Sequence, residues 1–415
     1  MTGEIAWYLA SAALVLLMVP GLALFYGGMV RSKNMLNMLN MNLYCLGIIP
    51  IVWAVIGFSI ANGGGADDPH GWFGFLNLGN FWMNGVTDAA VDGGEAAPGT
   101  MAYWAYAATF AVITPALISG AVADRIKFSA WAIFVPVWSV LVYSPVFFWV
   151  YGGWIINLPA HDTAGGTAIH INAGAAALAM VLVLGKRAGW PKSGWPPHNL
   201  PFVVLGTGIL FFGWFGFNSG GYPAESGQAL TNTFLAGAAG MIAWMLVEVV
   251  KLGKPTTLGM CSGVVAGLVA ITPAASFVGT MSSMVFGLAA GVICFFAITL
   301  KEKLGYDDSL DVVGIHMVGG IIGGLLVGIF ASFEPFVGLL DEPFLEGGVE
   351  LFFNQVISIV VVMVFSFVMT FIIAKALDAT IGLRVSTEAE DVGLDTSEHA
   401  ETAYQLGAGI MGRVQ

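Results

Sequence analysis

Two histidines lie inside long apolar segments, and each follows an aspartate at the start of its segment. His170 closes the run Asp162-Thr-Ala-Gly-Gly-Thr-Ala-Ile-His170, and His316 closes Asp311-Val-Val-Gly-Ile-His316. A titratable ring in hydrocarbon is costly, so residues of this kind mark a pore or bundle interior rather than a lipid-facing surface. A neutral imidazole offers one donor and one acceptor nitrogen and titrates near neutral pH. Two in contact can line a narrow apolar conduit, hydrogen-bond a small polar molecule, and share or pass a proton. They make a poor resting place for a free cation, because nothing nearby in sequence supplies a second charge. A cation entering such a conduit gains most by shedding its proton and crossing neutral, since burying charge in apolar surroundings is heavily penalised. A single histidine is equally well explained by one interhelical hydrogen bond; two, in corresponding places of two halves, read as a path.

The elements that must hold these rings follow from composition. With 57% hydrophobic and 10% charged residues over 415 positions, the chain is a polytopic membrane protein, not a soluble one. Its apolar runs last about 20 residues, the length a spanning helix needs, whereas a membrane barrel alternates polar and apolar positions in short strands. The 56 glycines fit a bundle whose helices approach closely. Spans are expected at roughly 5–30, 39–61, 101–123, 128–151, 163–184, 200–219, 228–250, 257–272, 280–300, 311–331 and 350–376. The fold class is therefore all-α, with eleven transmembrane helices.

Orientation comes from the basic residues, which fall near alternate span ends: Arg31 and Lys33; Arg125 and Lys127; Lys186, Arg187 and Lys192; Lys251 and Lys254; Lys301 and Lys303; Lys375, Arg384 and Arg413. The opposite loops carry acids, Asp67, Asp68, Asp88, Asp92, Glu95, Glu225, Glu334, Asp341, Glu342 and Glu346. The positive-inside rule then places the N-terminus outside and the C-terminus in the cytoplasm, as an odd number of spans requires. Spans one to five (about 5–184) and six to ten (about 200–331) enter with opposite orientation, each ending in an Asp/His pair. That is an inverted 5+5 repeat with the site at the repeat interface, plus one extra helix at 350–376. His170 stands about 12 Å along its helix from Asp162, and His316 about 7.5 Å from Asp311. In a core about 30 Å thick, the rings meet only if both helices begin below the surface, in vestibules.

Aromatic residues near the outer span ends can filter what enters. Tyr106 and Phe110 share a helix face; Trp149, Tyr151 and Trp154 end the fourth span; Trp214, Phe215 and Phe217 lie on the sixth. Aromatic faces attract a cation by roughly 0.5–2 kcal/mol, although Trp and Tyr also form ordinary interfacial belts. Cys45, Cys261 and Cys294 lie in apolar runs with no CxxC or paired-histidine spacing, so neither a disulfide nor a metal site is expected, and no cofactor is called for. The net charge of −12 and the lack of a phosphate-cradling Gly-Lys-Thr loop give no reason to expect nucleic acid. The N-terminus lacks a positive n-region, so the first run reads as a retained span.

At the level of motifs the chain resembles the ammonium transporter family (Amt/Mep/Rh). The resemblance is carried by Asp162-x-Ala-Gly-Gly-Thr-x-x-His170-Ile-Asn-Ala, Gly185-Lys-Arg, His198-Asn-Leu-Pro201 and Gly213-Trp-Phe-Gly-Phe-Asn218. It continues in Gly120-Ala-x-Ala-Asp-Arg125, Gly253-Lys-Pro-Thr-x-Leu-Gly259, Cys261-Ser-Gly263, Asp311-Val-x-Gly-x-His316 and Gly382-Leu-Arg384, in order over about residues 5–404. The bacterial and plant branch fits better than the Rh branch. The resemblance implies a homotrimer in the cell membrane, each protomer with its own pore. Ammonium, and methylammonium as an analogue, would be recruited outside, deprotonated and passed inward. His170 and His316 would be the pore pair and Phe110 and Phe217 the gate, with Asp162, Tyr106 and Tyr151 at recruitment. The family's recruitment serine is replaced by Gly221, leaving Ser219 as the nearest hydroxyl, and Thr163 stands where an aromatic is usual.

The tail, 377–415, is acidic, with Glu388, Glu390, Asp391, Asp395 and Glu398, and a charge run is ordinarily a solvated segment. The family resemblance implies instead a regulatory tail packed under the neighbouring protomer and coupled to a PII-type signalling protein. His70, His161, His198 and His399 read as loop, helix-start or tail residues, and Asp162 and Asp311 as N-caps for their helices. An intramembrane enzyme would need His-Glu-x-x-His or Gly-x-Ser-Gly, and neither occurs. The rival readings are an ammonium sensor on the same scaffold and an Rh-like neutral gas channel.

Overall fold

Residues 3–63, 76, 78–86, 100–191, 195–331 and 349–404 are described by a computed structural model. Among them, ten helices of 18 or more residues are apolar enough to cross a membrane. They are α1 (Gly3–Met29), α2 (Ser32–Ala61), α3 (Thr100–Val122), α4 (Phe128–Asn157), α5 (Gly166–Leu184), α6 (Leu200–Ser219), α7 (Pro223–Leu252), α9 (Thr280–Leu304), α10 (Val313–Phe330) and α11 (Val349–Thr380). Between α7 and α9 lies α8 (Thr257–Ile271), apolar but shorter. No strand occurs among the described residues, only an isolated bridge between Ile126 and Arg384. Each apolar run expected from sequence coincides with one helix. His70, Lys192, Arg413 and the acids at 67–95 and 334–346 lie outside the described residues.

Helices in lipid gain little from hydrophobic burial against each other, so close backbone packing must hold them. The opening helices of the two halves, α1 and α6, lie together for this reason. A Cβ on Gly206 would stand 2.4 Å from the Phe25 nitrogen and 2.6 Å from the Gly21 oxygen, so only glycine fits. Elsewhere α7 packs against both α8 and α9, and α11 covers α5.

At the end that gathers the basic residues, loops are tied by buried charge. Arg187 makes a two-pronged bond to Asp307, Nε and Nη2 donating at 2.9 and 2.8 Å, and its backbone amide donates to the same carboxylate. Burial alone would raise the Asp307 carboxyl, but the hydrogen bonds and charge of Arg187 and the charge of Arg125 hold it below the usual carboxylate range.

The tail is not the solvated charge run that composition implies. Two short helices, α12 (Thr387–Val392) and α13 (Leu394–His399), dock on this end of their own protomer. Asp395 accepts from the Asn37 amide at 2.8 Å, Glu398 from the Phe128 amide at 2.9 Å, and Glu390 from the Ala188 amide at 2.8 Å. Glu390 also pairs with Arg384 at 2.7 Å. These acids are ordered because they satisfy helix-start and loop amides that otherwise lack partners.

Candidate functional site

The two histidines sit on helices that begin in the same unusual way. Asp162 stands eight residues before His170, and its carboxylate accepts from the amides of Gly165, Gly166, Thr167 and Ala168 at 2.7–3.1 Å. Gly165 is left-handed (φ 113°), and a π-helical turn, Gly166–Ile171, then carries His170. In the other half the residue eight before His316 is Asp308, buried, with one carboxylate oxygen accepting from the Val313 amide at 2.7 Å. Asp311, five before His316 as Gly165 is five before His170, is the left-handed residue (φ 64°), and a π turn, Val313–Met317, carries His316.

This corrects the pairing expected from sequence. Asp308, not Asp311, is the counterpart of Asp162. Asp311 occupies the left-handed position that aspartate tolerates better than most residues, and its carboxylate binds Lys301 at 2.5 Å.

The crossing of α5 and α10 is also two-fold in character. A Cβ on Gly174, four residues past His170, would lie 2.5 Å from the nitrogen of Met317, which follows His316. A Cβ on Gly320, four past His316, would lie 2.8 Å from the Gly166 oxygen and 3.3 Å from the nitrogen of Ile171, which follows His170. Each glycine thus lets the opposite helix reach the partner histidine. The rings meet with Nδ1 to Nδ1 at 3.1 Å, centroids 5.2 Å apart and planes within 20°. Asp162 lines one cavity of about 240 Å³, and Asp311 lines another of about 240 Å³ at the basic end.

The geometry fixes the chemistry the pair can offer. A neutral pair joined through Nδ1 has one proton on that edge, so one ring presents Nε2 as an acceptor and the other Nε2–H as a donor. Both rings are buried, and His170 Nε2 has no hydrogen-bond partner among the described residues. Such an orphan costs about 1–3 kcal/mol, which a guest that hydrogen-bonds can offset. The surrounding wall is apolar: Met18, Leu22, Phe25, Ile113, Leu210 and Val265. The free space there is about 10 Å³, room for roughly one water-sized particle.

Phe110 and Phe217 stand next, both buried, with ring centroids 4.5 Å apart, and Phe217 also lies 5.8 Å from His170. They separate the conduit from an aromatic vestibule of about 210 Å³ that includes Tyr103, Tyr106, Tyr151, Thr163, Gly221 and Tyr222 in its lining. Tyr106 and Tyr151 both line this cavity, with Tyr106 against Phe110 at 4.7 Å. Asp162 is near but lines the adjoining cavity, its oxygens occupied by the helix amides. Ser219 is not brought to the vestibule: it is buried, and its hydroxyl donates to the Phe215 carbonyl.

Several residues were not assigned to the histidine pair or the vestibule from sequence, where Trp214 reads only as one of the filter aromatics. Trp214 stacks on His170 at 5.4 Å and donates to Thr272 at 2.9 Å; its signal was the i, i+3 spacing to Phe217. Asp308 was detectable from the repeated eight-residue spacing. Tyr103 had a signal in its i, i+3 spacing to Tyr106 on α3, while Tyr222 gave none, since it lies in the loop after α6. His161 is a cavity wall, its ring tilted by 31° against Phe277 at 4.7 Å, and burial pushes its pKa below the usual imidazole value.

Comparison with known proteins follows the same lines. The family model described as the Ammonium Transporter Family matches residues 6–404. An ammonium transporter of Mycobacterium tuberculosis is 48% identical over 434 residues, covering 97% of this chain and 90% of the relative. The crystal structure of Candida albicans Mep2 superposes with a TM-score of 0.83 at 32% identity, covering 97% of this chain and 93% of that one. A sensor Amt protein superposes with a TM-score of 0.84 at 26% identity, covering 95% and 98%. With sequence and fold matching nearly end to end, the chain belongs to the ammonium transporter family.

Proposed function

We propose that this protein is an ammonium transporter of the cell membrane. In this reading all eleven helices span, with the basic end cytoplasmic, the N-terminus outside, and α1–α5 and α6–α10 forming an inverted repeat. Ammonium is recruited among the vestibule aromatics, loses its proton before the Phe110–Phe217 gate, and crosses as ammonia past His170 and His316. The observation that carries the reading is the twin-histidine pair: its free edges supply one donor and one acceptor inside an apolar tube. Ammonia is both donor and acceptor and small enough for about one water's space. A retained positive charge would meet apolar walls, whose penalty is far larger than any one hydrogen bond.

Transport by relatives named ammonium transporters supports the substrate. The homotrimer, the tail packing under a neighbour, and a PII-type partner at the cytoplasmic face extend the same reading and rest on family membership. A sensor role is the second reading, favoured by Gly221 at the recruitment position and by the likeness to a sensor Amt protein. The test is current from reconstituted liposomes on a solid-supported membrane after an ammonium jump. A saturable current, lost or altered in His170→Ala, is expected. No current with ammonium binding retained would overturn transport in favour of a sensor or a neutral-gas conduit.

A further inference from the structure

The vestibule lacks the serine hydroxyl at Gly221, so some other group must complete a polar cation site there. Its own hydroxyls can be sorted by what they already bind. Ser219 is turned away into the Phe215 carbonyl. Thr163 donates to the Pro273 carbonyl at 3.2 Å and accepts from the Ser276 amide at 3.2 Å. Tyr106 donates to the Phe217 carbonyl at 2.8 Å. Tyr103, Tyr151 and Tyr222 line the cavity without a hydrogen bond to their hydroxyls among the described residues.

Of these three, Tyr222 directly follows Gly221, the residue that leaves the gap, and its ring is held edge-on against Phe277 at 5.3 Å. Tyr222 and Tyr151 also line both the vestibule and the adjoining cavity that ends at Asp162. A cation in this space has the aromatic surface of both rings beside it. Side-chain order matters here, because a hydroxyl already fixed by ring packing loses little entropy on binding.

We infer that the Tyr222 hydroxyl is a direct ligand of the recruited ammonium cation, standing in for the serine absent at Gly221. The inference rests on the transport reading and names a residue of its outer site. Its ring supplies a wall and its oxygen accepts one N–H of the cation. Tyr222 thereby sets affinity for the charged form, while the conduit beyond Phe110 and Phe217 handles the neutral one.

The test compares wild type, Tyr222→Phe and Ser219→Ala by ammonium-jump currents in proteoliposomes, with thermal unfolding of each variant as a check on folding. Tyr222→Phe keeps the ring and removes only the oxygen. Expected is a half-saturating ammonium concentration raised about tenfold, the equivalent of about 1.4 kcal/mol, with maximal current and melting temperature unchanged. A merely structural tyrosine would move the melting temperature instead. Ser219→Ala is expected to match wild type. If Tyr222→Phe saturates like wild type while wild type carries current, the inference fails and the transport reading stands. If wild type itself carries no current, the transport reading fails and takes the inference with it.

Discussion

The close crossing of α5 and α10 makes Gly174→Ala a demanding test of how the histidines are brought together. The added Cβ would lie 2.5 Å from both the Cβ and the backbone nitrogen of Met317, whereas ordinary contact begins at 3.4 Å. A backbone nitrogen inside a helix cannot swing aside as a side chain can, so α10 itself must retreat by about 1 Å. That retreat opens the 3.1 Å Nδ1–Nδ1 contact beyond hydrogen-bonding distance. Overpacking of this kind costs about 1–3 kcal/mol. Gly208 on α6 is the matched control, because a Cβ there meets nothing within 4 Å. Alanine in a helix interior is worth roughly 0.5–1 kcal/mol over glycine, so Gly208→Ala should be neutral or mildly stabilising. Expected for Gly174→Ala are a lower melting temperature and a current reduced to the level of His170→Ala. If Gly174→Ala keeps wild-type current and melting temperature, the two backbones are not in the tight contact from which the pairing is argued.

Three other perturbations follow from the same contacts. Gly221→Ser restores a vestibule hydroxyl: its Cβ meets the Thr163 carbonyl at 3.3 Å and the Tyr106 hydroxyl at 3.9 Å, a small adjustment. A hydrogen bond to a cation is worth about 1.5–3 kcal/mol, but the Thr163 carbonyl competes for the new hydroxyl. Half-saturation should therefore fall by less than about tenfold, and a rise would refute the placement of the site. Asp162→Asn leaves one oxygen for four amides, whereas Asp308→Asn leaves one oxygen for a single amide, so the first should lower the melting temperature more. Equal losses would show that the amide caps do not dominate. Asp307 is held below the usual carboxylate range, so its contribution is complete above an unfolded value of about 3.9 and is lost as pH falls through its lower folded value. The melting temperature should fall in that acid window in wild type and lose that component in Asp307→Asn. Breaking a buried pair costs about 3–5 kcal/mol, with the lower end expected because Arg187 keeps Asp124 at 3.5 Å. An unchanged acid slope would refute it.

Helix positions were legible in the sequence because an apolar run of spanning length admits few other structures in lipid. The twin histidines were legible for a related reason, since ionisable residues in such runs are rarely idle. What the sequence hid was local. Asp311 drew the eye because it heads the apolar run, yet Asp308 makes the cap, and the two differ only in which carboxylate turns back toward the amides. Ser219 was one residue pair from the gap at Gly221, but the last turn of α6 rotates its hydroxyl inward to Phe215. The order of the tail was invisible because it depends on amides of Asn37, Phe128 and Ala188, none near it in sequence.

In the proposed transport reading, the path would carry a neutral species. A free carboxylate beside a conduit would trap a cation, since buried opposite charges attract strongly and separate slowly. Asp162 carries its charge on four helix amides, and Asp308 places one oxygen on the Val313 amide. Asp311 is matched by Lys301. The two capping carboxylates thus shape the starts of α5 and α10. In that reading, attraction for the cation would fall to the aromatic vestibule, whose interactions of roughly 0.5–2 kcal/mol are weak enough to release it. Beyond Phe217 the conduit's first polar groups are imidazole nitrogens, which bind a molecule able both to give and to accept a hydrogen bond. In the proposed reading, recruitment by charge and passage without it would be separated in space by one pair of phenyl rings.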